Sequence, residues 1–169
     1  MGLPHKPTGT GAGSILSLDA FARALARDER LIGIDVGTKT LGLALSDVTR
    51  TIASGLLTIR RTRFAADAGR LLDLAAEHGV GGFVIGLPVN LDGTSGPRAQ
   101  ATRAFARNLA ALTPLPILLW DERLSTAEAE RTLLEADASR RRRSQVIDKV
   151  AATLILQGAL DRMRLSTVS

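Results

Sequence analysis

The chain has 169 residues, 45% of them hydrophobic and 23% charged, values of a globular domain large enough to bury a core. There is no cysteine and there are only two histidines, His5 and His78, which excludes disulfides, a thiolate zinc site and a thiol nucleophile, and argues against a histidine-based metal site or serine triad. A net charge of +5 points to an anionic partner, with nucleic acid first among the candidates. Aromatic residues make up 3% and tyrosine is absent, so recognition through phosphates and shape is expected over base stacking. No stretch has the length of a membrane span or the apolar core of a secretory signal, which gives a cytoplasmic expectation and no membrane partner.

Residues 1–16 are rich in Gly, Pro and Thr and read as a flexible tail; residues 17–169 read as one domain. Ser17 is placed to cap a helix over 17–28, with Leu18, Phe21, Ala22 and Leu25 on one face. Three strand-like runs follow, "RLIGIDVG", "TLGLALSD" and "IASGLLTIR", joined closely enough for an antiparallel meander. Phe64, Ala68, Leu71, Leu72 and Ala75 mark a helix closed by Gly79. "GGFVIGLPV" is a continuous apolar run, as in a strand buried on both faces. Gly96 and Pro97 open a further helix, "LPILLWDE" is a second buried strand, and "STAEAERTLLEA" begins at capping-box spacing. A basic loop, "ASRRRRSQ", leads to a last helix from about Ser144 to Arg162. Three antiparallel strands followed by αβαβα describe a mixed five-stranded α/β sheet with helices on both faces, the order of the RNase H-like fold.

Three acids stand in settings that ask for an explanation. Asp35 lies inside an apolar strand, where aspartate is disfavoured. Asp121 and Glu122 end a buried strand, the place where open α/β sheets bind ligands. Asp148 lies early in the last helix beside the stripe Ile147, Val150, Ala151 and Leu154, and small Ala151 and Ala152 allow that helix a close approach to the sheet. If Asp35, Glu122 and Asp148 converge, their repulsion must be relieved by protonation or a cation; a divalent ion on a basic protein points to phosphodiester hydrolysis. Each acid also has a plainer reading. Asp148 could only complement a helix dipole, and Glu122 could only pair with Arg123 at a strand end.

"GIDVGTKT" is not a P-loop, because Thr38 precedes Lys39 and a strand follows in place of a helix. Gly37 then serves a hairpin turn that leaves Lys39 free to meet a phosphate. The turn-rich loop 88–97 leads into a helix N-terminus, a natural anion site or a plain connection. Arg140, Arg141, Arg142 and Arg143 are the plainest nucleic-acid contact, unless they are merely solvated.

The segments "GIDVGTKTLGLALSD", "VIGLPVNLDGTSGPRAQATRAFA", "DERLST" and "SRRRRSQVIDKVAATLILQGALD" together resemble the YqgF/RuvX family, the RuvC-like Holliday junction resolvases also described as pre-16S rRNA processing nucleases. The likeness runs in family order over nearly everything from Leu31 to Asp161 and leaves the first thirty residues outside. It implies an RNase H-like fold, endonuclease activity dependent on one or two Mg²⁺ or Mn²⁺ ions, and an acidic triad at Asp35, Glu122 and Asp148. Asp35 would bridge the metals, with Lys39, Arg123 and Arg140–Arg143 holding the phosphate backbone. The implied substrate is pre-16S rRNA. Four-way DNA is the alternative, and a non-catalytic ribosome-assembly factor or an actin-like ATPase are the rivals. True RuvC resolvases carry their second acid after the fourth strand, where "IGLPVN" has none, and Glu122 after the fifth would substitute. A resolvase also needs a dimer; no helix face reads as a seam, and monomer and homodimer both stay open.

Overall fold

The computed structural model describes residues 13–90, 92–124 and 140–168, with side chains in the last stretch from 149 to 166. In chain order the elements are β1 (Ile15–Leu16), α1 (Leu18–Ala24), β2 (Arg30–Val36), β3 (Thr40–Ser46), β4 (Ala53–Arg60), α2 (Phe64–His78), β5 (Val80–Leu87), α3 (Pro97–Ala110), β6 (Ile117–Asp121), a 3₁₀ turn (Glu122–Leu124) and α4 (Arg140–Val168). The strands form one sheet in the order β1-β6-β5-β2-β3-β4. The pairs β2–β3 and β3–β4 are antiparallel; β2–β5, β5–β6 and β1–β6 are parallel. This is the expected mixed sheet, with a sixth strand added.

The extra strand corrects the reading of residues 13–16 as loose. Ile15 and Leu16 pair with Ile117 and Leu118, and the Gly13 amide donates to the Ala110 carbonyl. A two-residue strand is too short for a periodic signal, so only its partner reveals it. Helix α1 is capped by Ser17 as expected but ends at Ala24, because Leu25 is already extended (φ −83°, ψ 135°). The helix expected to begin at Ser125 lies outside the described residues.

Alternation along β3 divides the core. Leu41, Leu43 and Leu45 face α2 and α3, while Ala44, and with it Gly42 and Ser46 by the period of two, faces α1 and α4. On the first side the layer is Ile32, Ile34, Phe83 and Ile85 against Ala68, Leu71, Phe105 and Leu109. On the other it is Leu31, Val84, Leu118 and Trp120 against Phe21, Ile155, Leu156 and Leu160. Strand β5 is buried at every position, as its unbroken apolar run requires.

Helix α4 lies directly on the glycines of the sheet. A Cβ at Gly33 would stand 2.7 Å from Leu156 Cβ and 3.1 Å from the Ala152 carbonyl oxygen. Its far end is fixed by Gln157, whose side chain accepts from the Ala53 amide and donates to the Thr51 carbonyl, and by Arg164, which donates to the same carbonyl. Lys149 lies over Gly55, further along β4. The lower-numbered end of α4 therefore runs toward the end of the sheet that carries Asp35.

Candidate metal and nucleic-acid site

The period of two places Asp35 on the face that α4 covers, since Leu31 of β2 belongs to that layer and Gly33 meets Leu156. The same parity runs from Leu118 and Trp120 of β6 to Glu122. Both acids are almost wholly buried, Asp35 at 1% and Glu122 at 4% exposure. They come from strands separated by β5, whose axes stand roughly 10 Å apart. Between them lies Gly86. Ile34 pairs with Ile85, which sets Asp35 level with Gly86. A Cβ on Gly86 would fall 3.2 Å from Glu122 Oε2 and 2.3 Å from Ile155 Cδ1. The Glu122 carboxylate thus leans over Gly86, a position of β5 without a side chain, toward Asp35.

Two buried carboxylates at the C-terminal ends of parallel strands form an all-oxygen donor set, the chemistry of a hard divalent cation. The bare backbone at Gly86 is a cradle that any larger residue would fill. Such a donor set suits a hard divalent cation. Among the described residues no cluster of three His, Cys, Asp or Glu side chains is close enough to hold one. Asp148, on α4 one turn before Ala152, has its side chain outside the described ones.

A residue that sequence reasoning missed faces Asp35. Arg98, in the first turn of α3, brings its guanidinium to 3.6 Å from Asp35 Oδ1. A signal was present: a cation in the first turn opposes the helix dipole, and no acidic residue there offsets it. Gly86 carried a signal too, as a glycine inside a buried strand marks a close approach.

Arg123 does not pair with Glu122. Its Nε and Nη2 donate to both oxygens of Asp121 at 2.7–3.1 Å, and its amide donates to Asp121 Oδ1. The strand ends at Asp121, and the Arg123 amide bonded to the Asp121 carboxylate turns the chain so that the arginine side chain folds back on the same acid. The Arg123 hydrogen bond holds Asp121 below the ordinary carboxylate range, and Asp121 in turn raises Arg123. Asp92 is also lowered, chiefly by the Thr94 hydroxyl and then its amide. Asn90 donates to Thr94 Oγ1, so the loop before α3 is a tied turn.

Lys39 is exposed in the β2–β3 turn, where the Gly37 amide donates to the Thr40 carbonyl. Arg61 donates to the Gly37 carbonyl at 2.6 Å and lies over the Phe105 ring, bracing the turn that follows Asp35. Arg140–Arg143 form the opening of α4, not a loop before it, and the helix continues to Val168, past the expected end at Arg162.

Residues 29–162 match the RuvX family, described as Holliday junction resolvase. The chain belongs to the RuvX family. A relative from Rhodobacter capsulatus, named "Putative pre-16S rRNA nuclease", is 61% identical over 146 residues, 86% of this chain and 92% of that protein. One of the same name from Paracoccus denitrificans is 60% identical over 148 residues, 88% and 94% of the two chains. Among solved structures, T. thermophilus RuvC in complex with a Holliday junction substrate has a TM-score of 0.51 at 16% identity, covering 80% of this chain and 96% of that one. The yeast mitochondrial resolvase Ydc2 gives 0.51 at 12% identity, with 89% and 86% covered. At such identities the likeness is one of fold, and the fold is RNase H-like. Among the described residues no helix is long and apolar enough to cross a membrane.

Proposed function

We propose that this RuvX-family protein is a divalent-metal-dependent endonuclease that trims the 5′ end of pre-16S rRNA. The observation that carries the reading is the Glu122 carboxylate leaning over Gly86 beside buried Asp35. The names of relatives at about 60% identity support the RNA substrate. In this reading Asp35, Glu122 and Asp148 hold one or two ions. When bound, such an ion supplies Lewis acidity and neutralises charge at a phosphodiester. The chain's own part is to hold two carboxylates on one face, exclude water with α4, and bring phosphate to them. Lys39 and Arg140–Arg143 attract the backbone. Arg123, neutralised by Asp121, shapes the rim beside the loop at Gly93.

The test sets an RNA spanning the 5′ end of 16S rRNA beside a four-way DNA junction, at equal protein and Mg²⁺. Cleavage of the RNA that EDTA abolishes supports the proposal. Symmetric nicks in the junction with intact RNA would make the protein a resolvase, and binding without cleavage of either would make it an assembly factor. Replacing Arg140–Arg143 with Gln is expected to weaken RNA binding across sequences. The slope of log K against log salt should fall by up to about 3, roughly 0.7 per lost single-strand phosphate contact. An unchanged slope would make these arginines bystanders.

A further inference from the structure

Among the described residues, Arg98 and Arg123 lie beside the carboxylate pair, and they are held very differently. Arg123 is locked, with three side-chain hydrogen bonds to Asp121 at 2.7–3.1 Å. Arg98 meets Asp35 at 3.6 Å, beyond the range of a charge-assisted hydrogen bond, so the pair is held by Coulomb attraction without fork geometry. Its side chain is 41% exposed while Asp35 is 1% exposed, so the arginine reaches from the surface to a buried acid. The Arg98 backbone is anchored in the helix, its carbonyl accepting from the Thr102 hydroxyl one turn on. Its position in the first turn of α3 sets it against the helix dipole, which an incoming anion would relieve.

We propose that Arg98 is an exchangeable counter-ion. It offsets the charge of Asp35 while the carboxylates hold no metal, and it turns to a phosphate of the nucleic acid when a divalent cation takes Asp35. Arg98 and the cation compete for one carboxylate, so the residue that stabilises the empty site becomes a substrate contact in the filled one. This rests on the proposed reading of Asp35 as a metal ligand.

Mn²⁺ titration of the RNA-free protein tests it by calorimetry. Arg98→Ala should bind Mn²⁺ about two- to fivefold tighter than wild type, the scale of a half-exposed ion pair removed as competitor. Arg98→Lys, which keeps the charge, should fall between them. The second readout is the binding of a short single-stranded RNA, followed by anisotropy with Ca²⁺ and with EDTA. In Ca²⁺, Arg98→Ala should lose about 0.7 of the salt slope, one phosphate contact; in EDTA its slope should match wild type. Thermal unfolding confirms that each variant is folded. Unchanged or weaker Mn²⁺ binding in Arg98→Ala, or an equal loss of slope with and without cation, would overturn the exchange. If wild type binds Mn²⁺ and Asp35→Asn does not, the metal-site reading stands even where the exchange fails. If wild type takes up no Mn²⁺, both fall together.

Discussion

Asp47 and Asp35 stand at opposite ends of the meander and show what separates a carboxylate satisfied by its own turn from one placed by the whole sheet. Asp47 follows β3 and closes the turn into β4. Its oxygens accept from the Thr49 hydroxyl at 2.6 Å and from the amides of Thr51 and Ile52 at 2.7 and 3.1 Å. Those donors, the Thr49 hydroxyl first, hold its pKa at about 2. Every one comes from within five residues, so the turn is complete with nothing added. Asp35 is far more buried, level with a glycine over which a second buried acid leans, and its cation comes from a distant helix. One carboxylate serves its own loop, while the other is assembled by the whole sheet.

The strongest way to break the comparison is to neutralise the buried pair. Asp35→Asn or Glu122→Gln is expected to lower RNA cleavage by about a thousandfold or more, the several kcal/mol that metal-assisted charge stabilisation supplies. Removing like-charge repulsion from a buried pair should at the same time raise the metal-free Tm, by roughly 2–4 °C for each kcal/mol relieved in a domain of this size. A purified Asp35→Asn protein cleaving at the wild-type rate would remove Asp35 from the site.

Filling the cradle comes next. Gly86→Ala puts a methyl group 2.3 Å from Ile155 Cδ1 and 3.2 Å from Glu122 Oε2. Overpacking of this kind costs about 1–3 kcal/mol, and the displaced carboxylate should lower cleavage by more than tenfold. Calorimetry and a cleavage time course on one preparation read both effects; full activity would separate Glu122 from the chemistry.

The smallest effect sharpens the other half. Asp47 has a folded pKa of about 2, below its ordinary value of 3.8. Its contribution to stability is therefore fully present above pH 3.8 and is lost as the pH falls through about 2. Asp47→Asn should lower Tm at pH 6, approach wild type near pH 2, and leave cleavage at neutral pH unchanged. A Tm difference independent of pH would show that the turn does not depend on the charge.

The sequence by itself determined what local rules govern. The period of two in β3, the Ser17 cap, the Gly79 closure and the unbroken apolar run of β5 each follow from neighbouring residues, and the structure keeps them. Asp35 was legible because a strand interior repels aspartate, and Glu122 because it ends a buried strand. The tertiary structure alone decided what depends on register across strands. Nothing near Gly86 in the chain says that Glu122 leans over it, and nothing near Asp35 says that Arg98 reaches it from more than sixty residues away. The two-residue strand at Ile15–Leu16 likewise exists only through β6. Even Arg123, adjacent to Glu122, turned to Asp121, because the turn after β6 brings its amide and guanidinium back onto that carboxylate. Backbone preference acts over a few residues, whereas a buried charge is stabilised by whatever the fold brings within about 4 Å, and that is set by packing over the whole chain.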